Sequence, residues 1–444
     1  MGQRESRRES LARVAIASAG AAMAVLALAL SELGPADAAI RATGDWLVRI
    51  APKPNPPIPF ALVLIDSSTM ELDQLAPEEI EASPELRAIK AGFPWTRAVY
   101  AAALERLIKA GAGVIILDVL LIGPREGDDA LRDVLERHPG KVVLMSNVVQ
   151  DLGHEGGDMW RYQQPSEDAI PAGGTPIGFA NFFRDPDGVV RSAPFRMHRR
   201  GQPPEHSSPA TALGILKGEA ARDALPDSAH FLPAMEGMRP EVRVPLWQLF
   251  SPREWEHNLK GGRVFEGAAV AIGASAPQFH DEFLTPVGQV VGAGLHLGAL
   301  GAAWEGAFYR IPGWPAVVVA CVLGGLCSFA VWALVRGELW RLLVLGGFAA
   351  LAVQVSVSFL TGLGILAPLA AFWAAAGLGA TANLTADLLS EARERLRARR
   401  ILERYVSPGL ASEILDERSQ FLQSLGGTRR EVTILFSDVR GFTS

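Results

Sequence analysis

The sequence predicts a mixed α/β domain set between apolar helices of membrane-spanning length, with a charged helical segment after the last of them. Three observations predict it. Of 444 residues, 49% are hydrophobic and only 20% charged, a balance too apolar for an ordinary soluble chain of this size. The apolar residues gather into four long runs, one near the start and three late. Between them, Pro35 to Pro312 alternates short β-branched runs with stretches of helical periodicity.

Val14–Leu30 (VAIASAGAAMAVLALAL) carries no charge and comes after a head, residues 1–13, that contains Arg4, Arg7, Arg8 and Arg13. A crossing takes roughly 17 to 25 apolar residues, so a first spanning helix is placed at 14–33. The small-x-small triplet Ala36-Asp37-Ala38 also fits a cleaved signal peptide. Both readings export the domain beyond it. Further spans are placed at 314–335, 342–360 and 365–385. Arg336, Glu338 and Arg341 separate the first pair, and the uncharged turn Thr361-Gly362-Leu363-Gly364 separates the second. With the N-terminus in the cytoplasm, residues 36–310 fall outside and the Thr361–Gly364 turn falls outside with them. The Arg336–Arg341 loop and the run Arg393, Arg395, Arg397, Arg399 and Arg400 fall inside, so every basic flank obeys the positive-inside rule. A multi-pass protein of the cell (inner) membrane, in contact with lipid, is expected.

The net charge of −6 and the lack of any strongly basic domain argue against a nucleic-acid partner. Cys321 and Cys327 share one apolar run. On a helix they stand nearly two turns apart, too far to bridge.

Within the outer domain, Phe60–Ile65 (FALVLI) reads as a buried strand ending at Asp66. Thr96–Lys109 is apolar at helical spacing through Val99, Ala103, Leu104, Leu107 and Ile108, and Gly111 and Gly113 end it. Val114–Leu117 is the next strand, ending at Asp118, and Val142–Met145 another. Strand, helix, strand in that order predicts parallel pairing through right-handed crossovers. Ala268–Ile272 is a later strand, with Gly273-Ala274-Ser275 after it. Val291–Trp304 is a helix expected to lead directly into the next membrane span. Asp185–Gly188 (DPDG) reads as a turn between strands.

Ligands of parallel α/β sheets bind beyond the carboxyl ends of the strands. Asp66, Asp118 and Ser275 occupy such ends and are candidate ligand contacts, as is Asp281. Aspartates there also cap turns and helices, and the sequence leaves both roles open. His280 and Asp281 form too small a group to argue for a metal.

Several of these pieces together resemble the CHASE type 2 extracellular sensor. They are Phe93–Arg97 (FPWTR), Gly111–Leu121 (GAGVIILDVLL), Gly178-Phe179-Ala180-Asn181, Asp185–Arg191 (DPDGVVR), Ala271–Ala276 (AIGASA) with Asp281, and Thr285-Pro286. The resemblance covers most of residues 36–310 and implies a sensor for an extracytoplasmic ligand of unknown identity.

After the last span, Ala386–Tyr405 is rich in helix formers. Leu389, Ala392 and Leu396 fit a heptad seam that Arg399 or Arg400 and then Glu403 break. A dimeric helix and a solvated single helix are both compatible with it. Ser407-Pro408 is a helix-start signal, predicting a short helix over 409–415, and Gly426-Gly427 ends the linker, 386–427.

Val432–Phe436 (VTILF) reads as a strand, closed by Ser437–Ser444 (SDVRGFTS). The run Leu425–Ser444 is similar to the start of class III adenylate and guanylate cyclases, and Arg404–Pro408 (RYVSP) resembles the linker those enzymes carry. The resemblance implies that residues 428–444 open an incomplete ferredoxin-like cyclase domain. It makes Asp438 a metal-binding aspartate, with the carbonyl of Val439 beside it. Gly441, Phe442 and Thr443 would shape the turn around the nucleotide phosphates. It also implies two Mg (or Mn) ions per active site, ATP or GTP as substrate, and a homodimer. The family's second aspartate and base-selecting residues are expected downstream of Ser444, so this stretch alone is expected to be inactive. The alternative is a non-enzymatic membrane sensor or scaffold with a vestigial cyclase end. A transporter is disfavoured because the spans carry almost no ionisable residue.

Overall fold

The structure is a computed structural model that describes residues 2–30, 34–53, 55, 58–151, 159–198, 203–232, 243–404 and 433–436. Seven strands form its main sheet: β1 (Phe60–Ile65), β2 (Val114–Asp118), β3 (Val142–Asp151), β4 (Met159–Gln163), β5 (Ile177–Phe179), β6 (Arg243–Pro245) and β7 (Ala269–Ala274). They run in the order β6-β1-β7-β2-β3-β4, with β5 also paired to β3. All pairings are parallel except β3 with β4. Helices α1 (Gly2–Leu30) and α2 (Gly34–Ile50) precede the sheet. Helices α3 (Arg97–Lys109), α4 (Ser208–Lys217) and α5 (Gly292–Glu305) pack on it. Helices α6 (Trp314–Leu334), α7 (Glu338–Leu363) and α8 (Leu369–Leu402) come last.

Strict alternation in the central strands explains the layers. Ala61, Val63, Ile115, Leu117, Val270 and Ile272 face one core with Val99, Leu104 and Leu107 of α3. Phe60, Leu62, Val114, Ile116, Ala269 and Ala271 face the other with α4 and α5. Both faces are buried, which is why these strands read as continuous apolar runs. On the α5 face, β7 offers only Ala269, Ala271 and Gly273. A Cβ on Gly273 would stand 2.6 Å from that of Ala293, so only glycine lets α5 lie this close. Gly178 plays the same part for α4, since a Cβ there would stand 2.4 Å from Ser208 Cα. Asn181 completes that motif by pairing both ways with the Val148 backbone at 2.8 and 2.9 Å.

Four helices are long and apolar enough to cross a membrane: Ser10–Ala29 within α1, then α6, α7 and α8. Each of the spans placed at 14–33, 314–335, 342–360 and 365–385 overlaps one of these helices, with ends shifted by several residues, and three departures have a structural reason. The third runs from Glu338 to Leu363, because the helix continues through most of the expected turn and breaks only at Gly364 (φ 60°), which lies against the Phe308 carbonyl. The fourth span and the charged segment form one unbroken 34-residue helix. Third, α5 does not run straight into α6: Gly306 adopts a left-handed conformation (φ 66°), and the Phe308–Tyr309 strand intervenes. Helix α2 has no counterpart among the predicted elements, since a Gly34-Pro35 pair and a cleavage-like triplet open it. Thr433–Phe436 carries no strand, and Leu435 and Phe436 are exposed. None of the described strands pairs with it, and an unpaired apolar segment has no ladder to join. The helix expected at 409–415 and the site residues expected at Asp438, Val439, Gly441, Phe442 and Thr443 lie outside the described residues.

The chain divides into two compact units. One draws on residues 1–25, 321–345 and 374–444, the other on 26–320 and 346–373. In the first, Asn383 Nδ2 donates to Ser18 Oγ (3.0 Å), Ser328 Oγ (3.3 Å) and Gly379 O (2.8 Å), a polar knot among three otherwise apolar helices. Arg341 and the Trp332 indole both reach Asp387 at 3.1 Å.

In the second, α2 meets the sheet domain through Arg49 on the Pro286 carbonyl (3.1 Å), Arg41 near Asp187 (3.4 Å) and a larger cluster around Arg191. Arg191 is 4% exposed and forks onto Asp45 of α2 (2.7 and 2.8 Å) while also binding Asp185 (2.7 Å) and Asp187 (2.7 and 2.9 Å). The DPDG segment is a turn, as predicted: the Gly188 amide donates to the Asp185 carbonyl, and Gly188 has a φ of 82°. The turn aims both its carboxylates at the guanidinium. Hydrogen bonding from Arg191 holds Asp187 down to about 2. Replacing Arg191 by Met would leave three carboxylates facing one another. We expect a loss of about 3–5 kcal/mol, read as a drop in thermal midpoint of the detergent-purified protein, with Arg191→Lys losing less. A loss below about 1 kcal/mol for Met would show that the cluster does not hold α2.

Candidate functional site

The carboxyl ends of β1, β7, β2 and β3 open into a cavity of about 410 Å³ lined by Ile65, Ala274, Asp118 and Asn147 from those strands. This is the crevice a parallel sheet provides for ligands. Helix α5 closes it with Gly292 and His296, one turn apart and therefore on one face. Rings supply much of the remaining wall. Phe93 packs edge-on against Phe279 at 5.0 Å, and Phe182 lies 5.0 Å from the His296 ring and 6.3 Å from Phe283.

Two carboxylates face this space. Asp118 is the last residue of β2, with its side chain 14% exposed, and among the described residues it makes no hydrogen bond. His296 Nε2 stands 3.8 Å from its Oδ1, beyond hydrogen-bonding range. Asp281 reaches in from the segment before the Glu282–Thr285 hairpin strand. Its carboxylate rests on Gly292 at the start of α5, where a Cβ would stand 2.5 Å from Oδ2, so glycine is required there. The Gly292 amide donates to the Asp281 main-chain carbonyl at 3.0 Å, which fixes the segment.

Burial sets the charge states. Desolvation, reinforced by the nearby Asp281 charge, pushes Asp118 up to about 8. Asp281 is raised by burial as well. Burial alone pushes His296 down to about 3, so its ring is neutral near pH 7. Tyr100, also on the wall, is raised to about 12 by burial and stays a phenol. No lysine or arginine is among the described residues lining the cavity.

The row Ser208, His296, Asp118 has the residue types of a hydrolase triad but not its geometry. Ser208 Oγ meets His296 Nδ1 at 2.9 Å, yet Ser208 is wholly buried behind the ring, where no substrate can reach it. Among the described residues no group of three or more His, Cys, Asp or Glu is placed to hold a metal ion. What the arrangement offers is a cavity walled by aromatic rings into which two carboxylates face.

Of the sequence-predicted candidates, the structure brings Asp118 and Asp281 together and leaves two outside. Asp66 caps the short helix Ser67–Glu71, accepting from the Thr69 amide (2.8 Å), Thr69 Oγ1 (2.8 Å) and Ser68 Oγ (2.9 Å). Ser275 is not on the wall, and its amide donates to the Ile65 carbonyl at 3.0 Å. His280 is exposed and turned toward the Gln278 carbonyl, away from a shared site with Asp281. Sequence reasoning missed His296, Asn147 and the aromatic wall. A lone histidine four residues after Gly292, with only small and aliphatic residues around it from Gly292 to Ala303, was the available signal. A second cavity of about 510 Å³ lies beside α4, but its Arg222 is already paired with Asp223 (2.9 Å) and Glu219 (3.6 Å), so it has less unmet charge to offer a ligand.

A carboxyl raised on folding stabilises the native state most when protonated. The Asp118 contribution is therefore fully present below about pH 4 and is lost as pH rises toward about 8. Thermal midpoints of the wild type are expected to fall between pH 5 and 8.5, and those of Asp118→Asn to fall less steeply. Equal slopes would show that Asp118 is not held protonated.

No curated protein and no solved structure matches the chain. The CHASE2 domain matches residues 20–337, which span the whole sheet domain and the cavity with it. That is more than half of the chain, and with the cavity at its strand ends the chain belongs to the CHASE2 family of extracellular sensor domains.

Proposed function

We propose that this chain is the sensing and signal-transmitting part of a multi-pass membrane receptor whose cytoplasmic output is a class III nucleotide cyclase. The observation that carries the output is the run LGGTRREVTILFSDVRGFTS at 425–444. Asp438 there is a hard oxygen donor of the kind magnesium or manganese prefers. The Val439 carbonyl would join it, and backbone amides around Gly441, Phe442 and Thr443 would face the triphosphate of ATP or GTP. Bound metal ions would supply neutralisation of the phosphate charge.

The input side is the CHASE2 domain with its strand-end cavity. Helix α5 supplies Gly292 and His296 to that cavity and, after the turn at Gly306, leads on to the first residues of α6. An altered seat for α5 would thereby be felt at a membrane helix. Helix α8 continues without interruption into the charged segment, as expected of a rigid transmitter. Leu389 and Leu396 of the heptad seam on it are exposed, as suits a second copy of the chain, and the family's active site is built between two subunits. The positive-inside pattern puts the CHASE2 domain outside the inner membrane and the C-terminal end in the cytoplasm.

The test is expression of the coding sequence extended through the whole catalytic region, in membranes of a host that makes no cyclic nucleotide. Magnesium-dependent conversion of ATP or GTP to the cyclic nucleotide is expected, falling to background in Asp438→Ala. Unchanged production by the alanine variant would overturn the metal-binding role of Asp438, and no production by the intact chain would favour a non-enzymatic sensor.

A further inference from the structure

We propose that the strand-end cavity binds a small organic cation, its ammonium head held between Asp118 and Asp281 and its apolar body against the phenyl wall. The inference rests on the chain being a sensor and names the chemical class that the sensor recognises.

Four features of the cavity converge on that class. Its two carboxylates come from different elements, the end of β2 and the segment preceding Glu282–Thr285, and both line the space. Neither has a cationic partner on the wall, and Asp118 has no hydrogen bond among the described residues. Burying a carboxylate without a partner is costly, and a ligand cation relieves that cost. Next, His296 is 2% exposed, with Nδ1 occupied by Ser208 and Nε2 on the cavity side without a hydrogen bond. This neutral buried nitrogen is a further polar contact that adds no competing charge. Third, Phe93, Tyr100, Phe182, Phe279 and Phe283 present ring surface around the acids. Rings of this kind attract organic cations and accommodate their apolar bodies. The only arginine on these rings among the described residues, Arg184, sits 5.3 Å from the centroid of Phe283 and is itself exposed. Last, a bare divalent ion would need more oxygen or nitrogen ligands than the described residues gather, whereas a cavity of about 410 Å³ is of the size that takes a small organic molecule.

Titration of the acids is tied to this occupancy. The titratable groups on the wall are Asp118, Asp281, His296 and Tyr100. The histidine is neutral and the tyrosine protonated near pH 7. An ammonium between the acids opposes the burial that raises both, so binding should expel a proton from the pair.

The experiment uses the whole chain in lipid nanodiscs, titrated calorimetrically with 2-phenylethylamine, butylamine and putrescine. Their neutral counterparts, 2-phenylethanol and butanol, and magnesium and calcium chlorides form the comparison arms. At least one amine is expected to bind about tenfold or more tighter than its alcohol. That preference should disappear in Asp118→Asn and in Asp281→Asn, each checked for an intact thermal transition. Asp118→Asn is close in shape to the protonated acid, so it tests charge without removing the side chain. Binding at pH 7 should also release protons, seen as a dependence of the heat on buffer ionisation enthalpy. The proposal is overturned by alcohols binding as well as amines, by an amine preference that survives in both variants, by the metal chlorides alone binding at the acids, or by no binding to the folded wild type. The readout is binding, so it is independent of whether the cyclase activity tested through Asp438 is found.

Discussion

The close seating of α5 on β7 is the constraint on which the rest of the sensor depends. It exists because β7 presents only alanines and Gly273 to that face, and because Ala293 occupies the space a side chain at 273 would take. That contact brings the helix N-terminus over the strand ends, and it sets Gly292 under the Asp281 carboxylate and His296 opposite Asp118. Burial comes from the same seating, and burial is what raises both acids and holds the histidine neutral. Packing, cavity and charge state therefore have one origin. Protein interiors transmit small displacements because they are close-packed, so a change in what fills the cavity bears directly on this helix.

A second constraint acts at α2. The guanidinium of Arg191 joins α2 to the DPDG turn through three carboxylates. The turn needs Gly188 in its left-handed conformation to place Asp185 and Asp187 on the same side. A cluster of this kind is a weak source of net stability but a strong specifier of geometry, since any other docking of α2 would strand buried charge. On the same side of the chain, Arg310 pairs with Gly364 and Leu366 through its backbone, fastening the turn between α7 and α8 to the sensor segment. One tie holds α2, which follows the first span, and the other holds the turn between two spans, and both are polar.

Much of this was legible in the residues. The parallel core was, because doubly buried strands such as FALVLI and VIIL are continuously apolar and end in charged or small residues. The membrane helices were as well, since length and composition decide them. Helix bounds were less so: the uncharged turn after Ser358 contains nothing that stops a helix before Gly364, and α2 hid behind a Gly-Pro pair. The site was half legible. Asp66 and Asp118 both end a strand and carry the same side chain, yet one caps a helix and the other faces a cavity. The difference lies in the next residues. Ser67-Ser68-Thr69 offers hydroxyls and an amide that satisfy Asp66 locally, whereas Val119 and Leu120 offer Asp118 no side-chain donor. His296 and the phenyl wall come from distant segments, and no local pattern announces such a meeting.

The contrast between those two aspartates also bears on why the cavity would serve as a sensor. A carboxylate satisfied by its own helix has little to gain from a ligand and so cannot report one. Burial makes Asp118 and Asp281 costly to ionise, and a cation arriving between them would remove that cost. A ligand shifts a conformational equilibrium only by its difference in affinity for the two states. An acid pair shared between a strand end and a helix N-terminus supplies such a difference. Neutralising it changes the interaction across the contact between sheet and helix, and α5 is the element that continues toward the membrane.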